Sequence, residues 1–523
     1  MSGRGRIRMH VVGILVMVGV LALPGSPAVP ASADSTRAVI DPVLLSNLDS
    51  LGSAPAILTF DRTKVDRSEV AAYLEANGFQ AQVFDHLSVA LACASTTKQV
   101  EALAAAPGAV SVWGDHPLTP ALDKSVLTAF NGDPSTVWEG VGVTGKDVSI
   151  GVIDTGVDAT HPDIKYGPRV KLNVRVLVGD RDMFGPYTDP CAGTFYSPQL
   201  QDSEGTSGHG THLTSVAAGD GTVSGGRYTG VAPGADIIGV GVADTLTPQV
   251  AVDQYTQLSL LGVMAGINYV ISTGLEGCRP PLCPEFVPIN PAKVILAGWT
   301  QDGLHDPWHP MTFVLRDLAW YGITVVFPVG NEGPTPSDCS AAATCHFNPF
   351  AAGPEAIGVA ATPKKSRGSV EAYSSRGDPV PREARGETFR YEPFLSAPGT
   401  GVIAARRPGF AHYAQPPGSI LGAGPDLKQV GVDRRYVALS GTSVAAAHVA
   451  GAIALMQSAA LKGSGCFLTS AQVMDILRST ADPISGYDRH LAGAGAIDVT
   501  AAVNASRGGG PFSPDPWMCP PAS

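Results

Sequence analysis

Short apolar runs rich in β-branched residues alternate with helical runs through the middle of this 523-residue chain. The runs with strand character are VSIGVI, ADIIGVGV, KVILA, ITVVF and AIGVA, in that order within residues 148–360. Helical apolar spacing recurs between some of them, in LLGVMAGINYVIS and MTFVLRDLAWYG. The alternation predicts an α/β fold, with a mostly parallel sheet covered by helices on both faces. In such sheets, functional side chains lie beyond the carboxyl ends of the strands.

Two polar residues follow these predicted strands. Asp154 ends VSIGVI shortly before a glycine that lets the chain turn, and Asn331 comes soon after ITVVF. A single Asp after a strand is weak evidence for a site, because turns favour Asp for local hydrogen bonding. Its significance depends on whether the chain also supplies a base and a nucleophile.

A serine stands directly before a long apolar helical run. Ser443 precedes VAAAHVAGAIALMQSAAL, which is apolar on nearly every side and predicts a buried helix. The serine could simply cap that helix. The alternative is a nucleophile, because the backbone N–H groups and the positive dipole end of a buried helix start can stabilise an oxyanion.

The candidate base lies in GHGTH, residues 208–212, which opens the helical run LTSVAAG. His209 and His212 could instead bind a metal, but zinc hydrolases of the HExxH type need a spacing of four with a glutamate between the histidines. Neither condition is met, so we predict no metal ligand. The residues then occur in the order Asp, His, Ser, which is one of the known chain orders of a catalytic triad.

These motifs together resemble those of the subtilisin-like serine proteases. The matching segments are VIDTGVDATHPDI, GHGTHLTSVAAG, VVFPVGNEG and SGTSVAAAHVAG, and the resemblance covers most of residues 57–503. It implies that Ser443 attacks the peptide carbonyl after His209 removes its proton. Asp154 would orient and stabilise the imidazolium that forms, and Asn331 would donate a side-chain N–H to the oxyanion. This chemistry requires no cofactor, and the substrates would be polypeptides.

Position in the family pattern also suggests residues that bind substrate. Gly298, Trp299 and Thr300 stand where the family usually has a Ser-Leu-Gly strand that pairs with the substrate backbone, and Gly330 is a fourth candidate. An indole at this place could narrow the pockets on either side. The substrate preference of relatives therefore cannot be carried over to this chain.

Other positions depart from the family pattern. Relatives commonly carry Met and Pro where this chain has Val444 and Ala447. Without the proline an N–H returns near the nucleophile, and a secondary hypothesis is that the altered helix start favours peptide transfer over hydrolysis. Residues 165–205 are longer than in a minimal relative and predict a loop near the site that adds to specificity.

The same resemblance gives His212 and His448 structural roles in packing around the site. Asp163 matches a position that ligates calcium in some relatives. Because calcium normally takes six to eight oxygen ligands and the sequence does not reveal the others, we treat structural calcium as a possibility without a ligand set.

The N-terminus has the pattern of a secretory signal peptide over residues 1–33. A basic segment precedes an apolar run at 11–23 and an Ala-x-Ala cleavage site at 31–33. An uncleaved membrane anchor is the alternative, but the apolar run is too short to cross a bilayer comfortably. We therefore predict a secreted, extracellular protein with no transmembrane segment in its mature form.

Residues 34–121 are predicted to form a prodomain and linker. The compact part, 56–113, has a βαββαβ pattern typical of a small α+β ferredoxin-like domain. The resemblance implies an intramolecular inhibitor and folding aid that the protease removes by cleavage near Ala121; a ferredoxin-like domain for another ligand is the alternative. The catalytic domain then spans 122–505, and 506–523 form a Pro/Gly-rich C-terminal tail.

Charge and cysteine content narrow the partners and the compartment. The formal net charge is −11, with no Lys/Arg run outside the extreme N-terminus, so nucleic acid is not an expected partner. Eight cysteines in an exported protein predict disulfides. Cys278 with Cys283 and Cys339 with Cys345 are close enough to close local loops. Three more, at positions 191, 466 and 519, suggest one bridge and one free thiol.

Two rival functions follow from different readings of the same motifs. A related family also has a GTS serine but uses glutamate in place of the histidine and works in acid; the intact GHGTH argues against it. The second rival is a secreted, catalytically inactive protein that keeps the protease fold to bind a partner. The presence of all four chemical groups favours the enzyme.

Overall fold

The computed structural model describes residues 38–40, 42–61, 64–79, 81–83, 89–114, 124–178, 194–205, 207–242, 260–280, 282–301, 303–307, 309–333, 337–384, 387–407, 435–509 and 517–520. The predicted signal peptide, the expected cleavage region near Ala121 and Cys191 lie outside them. The chain divides into two compact units, Met1–Thr119 and Pro120–Ser523.

The first unit is a five-stranded sheet with helices. Its elements are β1 (Val39–Ile40), α1 (Pro42–Leu51), β2 (Ala54–Phe60), α2 (Arg67–Ala76), β3 (Gln82–Val83), β4 (Val89–Ala94), α3 (Thr97–Ala104) and β5 (Ala109–Gly114). The strand order is β1-β5-β2-β4-β3. From β2 to β5 the elements follow the predicted βαββαβ order, and those four strands are arranged as in a ferredoxin-like sheet.

Regular structure begins before residue 56, where the sequence pattern predicts the start of the compact part. It includes β1 and α1, and Leu44 and Leu48 of α1 are buried in the core of the first unit. The two leucines are four residues apart and so share one face of a helix. The polar residues around them hid this short pattern, and the compact part is therefore larger than 56–113.

The second unit is built on an eight-stranded sheet of order β15-β12-β11-β10-β6-β9-β7-β8. The described strands of this unit are β6 (Ser149–Asp154), β7 (Val170–Val178), β8 (Thr194–Tyr196), β9 (Asp236–Gly241), β10 (Ala292–Ala297), β11 (Thr324–Pro328), β12 (Ala356–Pro363), β13 (Arg382–Ala384), β14 (Glu387–Phe389), β15 (Leu395–Thr400), β16 (Val402–Ala405) and β17 (Tyr436–Leu439). Of these, β13 pairs with β14 and β16 with β17 outside the eight-stranded sheet. Its helices are α4 (Lys124–Phe130), α5 (His209–Ala218), α6 (Leu260–Glu276), α7 (Pro310–Trp320), α8 (Thr442–Ser464), α9 (Ser470–Thr480), α10 (Arg489–Ala492) and α11 (Val499–Ser506). Neighbouring strands of the large sheet pair in parallel, except that β8 pairs with β7 in antiparallel fashion. The predicted α/β fold class is confirmed.

Helices cover both faces of this sheet, because alternate residues of each strand enter different cores. Val294 and Leu296 of β10 lie in one core with α5, α8 and α11, whereas Ile295 lies in the other with α6 and α7. Helix α8 is long and apolar enough to cross a membrane, yet 94% of its 18-residue apolar stretch is buried inside the protein. Its small residues allow close packing: a Cβ on Gly451 would lie 2.7 Å from the carbonyl oxygen of Ala217.

The segment 165–205, predicted as a long loop, contains two strands. β7 pairs in parallel with β9 and so extends the main sheet, and β8 pairs with β7 in antiparallel fashion. The prediction of a single loop was therefore wrong. Charged and polar residues interrupt the apolar pattern of VKLNVRVLV, which obscured a buried strand.

The described residues of the second unit form three disulfides. Cys278 bonds to Cys283 and Cys339 to Cys345, and a third bridge joins Cys466 to Cys519 across 53 residues. The third bridge, together with the burial of Met518 in the core beside α8, ties residues 517–520 to the second unit. That part of the predicted tail is therefore integral to the fold.

Lys293 of β10 is buried beneath this C-terminal segment. Its ammonium group donates a hydrogen bond to the carbonyl of Trp517 and lies 4.7 Å from the ring centroid of Phe467. Burial lowers the pKa of Lys293 from 10.5 to about 7. The unfolded chain therefore binds more protons than the folded chain between about pH 7 and 10.5, and stability should rise with pH across this window.

We expect Lys293→Met to remove most of this rise, because methionine fills a similar volume without a titratable group. The measurement is the denaturant midpoint at several values between pH 7 and 10, in a Ser443→Ala background to prevent the self-digestion that the resemblance implies. Lys365→Met is the matched control, since Lys365 is exposed. Parallel pH dependences for the Lys293 variant and its parent would show that Lys293 is not responsible.

Candidate active site

Asp154 is the last residue of β6, at the carboxyl edge of the main sheet, and is only 1% exposed. The chain turns sharply after it, at Thr155 and Gly156. Gly156 has a φ of +121°, and a Cβ there would lie 2.3 Å from the carbonyl oxygen of Ser203. Only glycine fits this turn, which explains the Asp-Thr-Gly pattern in physical terms.

His209 is the first residue of α5, which starts directly against that turn. A Cβ on Gly210 would lie 2.3 Å from the carbonyl oxygen of Gly156, so the glycine after the histidine permits the close approach. The Nδ1 atom of His209 lies 2.8 Å from Oδ1 of Asp154, which also accepts a 2.7 Å hydrogen bond from the backbone N–H of Thr155. Two hydrogen bonds thus hold Oδ1 of Asp154 in place.

Ser443 lies in the first turn of α8 and is 6% exposed. Its Oγ is 3.0 Å from Nε2 of His209. The helix is capped by Gly441 without a side-chain hydrogen bond, so the hydroxyl of Ser443 is not the cap. The structure therefore brings Asp154, His209 and Ser443 into one continuous chain of hydrogen bonds.

The electrostatic surroundings favour a protonated His209. Burial alone lowers the pKa of its imidazole, but the charge and hydrogen bond of Asp154, together with the charge of Glu204, outweigh burial and raise the pKa above 6.5. The arrangement thus stabilises the imidazolium that would form when His209 accepts a proton.

Asn331 follows β11 and reaches the start of α8. Its Oδ1 accepts hydrogen bonds from the backbone N–H of Thr442 at 2.9 Å and from the hydroxyl of Thr442 at 3.0 Å. These bonds fix the amide plane of Asn331 and leave its Nδ2 on the side away from the Oδ1 that Thr442 binds. A Cβ on Gly441 would lie 3.2 Å from Oγ of Ser443, 3.8 Å from Nδ2 of Asn331 and 3.9 Å from its Oδ1, so the serine hydroxyl and the amide end of Asn331 lie beside the same small space.

The predicted substrate-binding residues occupy different environments. Gly298 lies against the candidate triad, because a Cβ there would be 2.6 Å from Oδ2 of Asp154 and 3.5 Å from Cε1 of His209. The Trp299 ring packs edge-on against Phe327 at a centroid distance of 5.3 Å, and Thr300 is exposed. Among the described residues, both Oδ2 of Asp154 and Nε1 of Trp299 are buried without a hydrogen-bond partner.

Gly330 has its backbone engaged by the protein. Its N–H donates to the hydroxyl oxygen of Thr442 at 3.3 Å, and its carbonyl accepts the N–H of Ser375 at 2.9 Å. Its φ is +113°, and a Cβ would lie 2.7 Å from Oγ of Ser375, so glycine is needed for the backbone path that presents Asn331.

The two further histidines have contacts that suit packing roles. His212 and His448 are fully buried, and their ring nitrogens hydrogen-bond to the carbonyls of Val402 at 3.1 Å and Val444 at 3.0 Å. Burial lowers the pKa of His212 to about 3, which keeps its ring neutral at ordinary pH.

Asp163, the residue that matches a calcium-ligating position in some relatives, is hydrogen-bonded within the protein. Its Oδ1 accepts the N–H of Val223 at 2.9 Å, and its Oδ2 accepts the hydroxyl of Tyr436 at 2.6 Å. Within the part of the chain that the structure describes, no group of three or more His, Cys, Asp or Glu side chains is placed to hold a metal ion.

Sequence reasoning missed Glu204. It is 1% exposed, and its Oε2 accepts a 2.8 Å hydrogen bond from the hydroxyl of Thr155, the residue after Asp154. Glu204 stands two residues after Asp202 in the polar stretch QDSEGTS before GHGTH, and such a stretch gives no pattern from which the burial of one acid could be predicted.

Comparison with known proteins shows the class to which this chain belongs. The sequence model of the family described as "Subtilase family" (Peptidase_S8) matches residues 145–505. "Serine protease AprX" of Bacillus subtilis (strain 168) is 26% identical over 367 residues, which cover 70% of this chain and 68% of that protein. An "Extracellular protease" of Xanthomonas campestris pv. campestris is 27% identical over 387 residues, and the matched region covers 70% of this chain and 53% of that protein.

A solved structure is also similar. It is the crystal structure of fervidolysin from Fervidobacterium pennivorans, described as a keratinolytic enzyme related to subtilisin. The match covers 86% of this chain and 61% of the fervidolysin chain, with 21% sequence identity and a TM-score of 0.49.

The parallel sheet and the family match together define a serine protease of the subtilisin-like class. The chain belongs to the subtilase family. It is therefore a serine endopeptidase, and its substrates are polypeptides.

Proposed function

We propose that this chain is a secreted serine endopeptidase whose chemistry is performed by Asp154, His209 and Ser443. The observation that carries the proposal is the pair of hydrogen bonds, 2.8 Å and 3.0 Å long, that joins the carboxylate to the imidazole and the imidazole to the hydroxyl. A serine hydroxyl is a poor nucleophile unless a base accepts its proton, and this geometry supplies the base.

The reaction proceeds through an acyl-enzyme. Oγ of Ser443 bonds to the peptide carbonyl carbon while Nε2 of His209 takes the hydroxyl proton, and the charge of Asp154 stabilises the resulting imidazolium. His209 then gives that proton to the leaving amine as the peptide C–N bond breaks. A water molecule, deprotonated by His209, cleaves the ester and restores the serine.

Asn331 and the start of α8 stabilise the oxyanion of the tetrahedral intermediate. The side-chain N–H of Asn331 and the backbone N–H of Ser443 would be its two hydrogen-bond donors. The first-turn N–H groups of a helix have no acceptor four residues earlier, which leaves the N–H of Ser443 available to substrate.

We expect Asn331→Leu to lower kcat by about 10²- to 10³-fold with little change in KM, because the lost donor acts mainly in the transition state. Steady-state kinetics on a peptide anilide tests this. Asn290→Leu is the matched control for loss of a half-buried amide, since Asn290 donates a hydrogen bond to Oδ2 of Asp236 at 2.8 Å, at the opposite end of the sheet from Ser443. A fall in kcat equal to that of the control would contradict the assignment.

The first compact unit is proposed to be an intramolecular inhibitor that the enzyme removes from itself near Ala121. Its ferredoxin-like sheet and its position immediately before the catalytic unit support this role. The predicted signal peptide and the name of the Xanthomonas relative support secretion.

Intact mass and N-terminal sequencing of the secreted protein test the proposal. The wild type should lose its first 115–125 residues, whereas Ser443→Ala should keep the prodomain. Ser458→Ala is a control on the same helix, because Ser458 donates to the carbonyl of Lys146. If the wild type and Ser443→Ala both remain uncut and inactive, the inactive binding protein becomes the better account.

A further inference from the structure

Glu204 is a buried carboxylate beneath the turn that carries Asp154. Its Oε2 accepts the hydroxyl of Thr155 at 2.8 Å and that of Thr211 at 3.3 Å. The hydroxyl oxygen of Thr155 in turn accepts the backbone N–H of Gly210 at 2.9 Å. Glu204 thus connects, through one threonine, the residue after Asp154 with the residue after His209.

The segment that carries Glu204 is itself held from behind. Arg175 of β7 donates to the carbonyl of Ser203 at 3.0 Å, and Asp202 pairs with Arg407 at 2.8 Å. A Cβ on Gly205 would lie 2.7 Å from the guanidinium of Arg175, so the backbone packs directly on that side chain. A buried carboxylate is costly unless it is hydrogen-bonded, and these contacts keep Glu204 in place.

We infer that Glu204 is a positioning residue for the candidate triad. Through Thr155 it fixes the turn of Asp154 against the first turn of α5, and its carboxylate adds a second negative charge behind the imidazole of His209. The inference deepens the proposed function and rests on it. A misplacement of about 1 Å between reacting groups can cost two orders of magnitude in rate, so holding this turn has catalytic value.

The charge of Glu204 also acts on the titration of His209. The charged and titratable groups that face His209 are Asp154 from β6, Glu204 from the 202–205 segment and His212 from α5. Arg175 is a charged group that faces Glu204 from behind. The charges of Asp202 and Arg407 also interact with Arg175. The negative charges of Asp154 and Glu204 both raise the pKa of His209, against the effect of burial.

The test compares Glu204→Gln, Glu204→Asp and Glu204→Ala by the pH dependence of kcat/KM. We expect the acid limb of Glu204→Gln to move to lower pH, because a neutral amide no longer favours the imidazolium. Glu204→Ala should lower kcat about 10-fold with little change in KM, and Glu204→Asp should keep the wild-type acid limb. Thr155→Val should lower kcat similarly, and Thr155→Ser should restore it.

Glu355→Gln is the matched control, because Glu355 pairs with Arg316 at 3.3 Å on another part of the fold. It should leave both the acid limb and kcat unchanged. If Glu204→Gln and Glu204→Ala lose only stability while kcat and the acid limb stay as in wild type, Glu204 is merely structural and the inference is wrong.

An NMR titration of the His209 imidazole separates this inference from the proposed function. It is performed in the Ser443→Ala background, with and without Glu204→Gln, and needs no activity. A lower pKa in the double variant supports the inference, and an unchanged pKa overturns it. Absence of Ser443-dependent cleavage in the wild type would instead overturn the proposed function. The isosteric Glu204→Gln decides the matter if Glu204→Ala fails to fold.

Discussion

Replacing either Ser443 or His209 by alanine should lower kcat by about 10⁶-fold, a loss of the size known for the corresponding residues of subtilisin. Each replacement breaks the 3.0 Å contact between Oγ and Nε2. Without the hydroxyl there is no nucleophile, and without the imidazole the hydroxyl keeps its proton.

Because the two residues act as one unit, the double variant should be no less active than either single variant. The measurement is kcat on a peptide anilide, with protein matured by an added protease so that failed self-processing does not mimic a catalytic defect. Ser458→Ala should remain fully active. Multiplicative losses in the double variant would show that the two side chains contribute independently, which the hydrogen-bonded geometry excludes.

Asp154→Asn should lower kcat by about 10⁴-fold while leaving the fold intact. The carboxylate accepts from Nδ1 of His209 at 2.8 Å, and so leaves Nε2 free to act as the base. An amide N–H in its place donates to Nδ1 and holds the imidazole in the wrong tautomer. The charge that stabilises the imidazolium is lost as well.

The pH dependence gives this prediction a second readout. His209 must be neutral to act as a base, so kcat/KM falls as the pH drops through its pKa. The charge of Asp154 helps to raise that pKa above 6.5, and its removal should move the residual acid limb to lower pH. Asp163→Asn is the control, since Asp163 is also fully buried but hydrogen-bonds to Tyr436 instead. An acid limb that stays in place in Asp154→Asn would show that Asp154 does not set the pKa of His209.

Much of the fold followed from local patterns. The β-rich runs of the central region became β6, β9, β10, β11 and β12, because a parallel strand buried on both faces needs a nearly continuous apolar sequence. β7 was missed since lysine, asparagine and arginine interrupt it, and α1 was missed although its Leu44 and Leu48 are buried. In both cases tertiary packing decided the structure of a locally ambiguous segment.

The sequence by itself determined the α/β class and the chemical groups of the candidate site, because apolar periodicity and short glycine-bearing motifs are local and can be read along the chain. Only the tertiary structure decided how those groups meet. His209 and Ser443 are 234 residues apart in sequence yet 3.0 Å apart in space. The burial of Glu204 under Thr155 and the docking of residues 517–520 through Cys519 likewise depend on contacts between distant segments. No local pattern specifies such contacts, because they form only when the whole sheet brings its strand ends together.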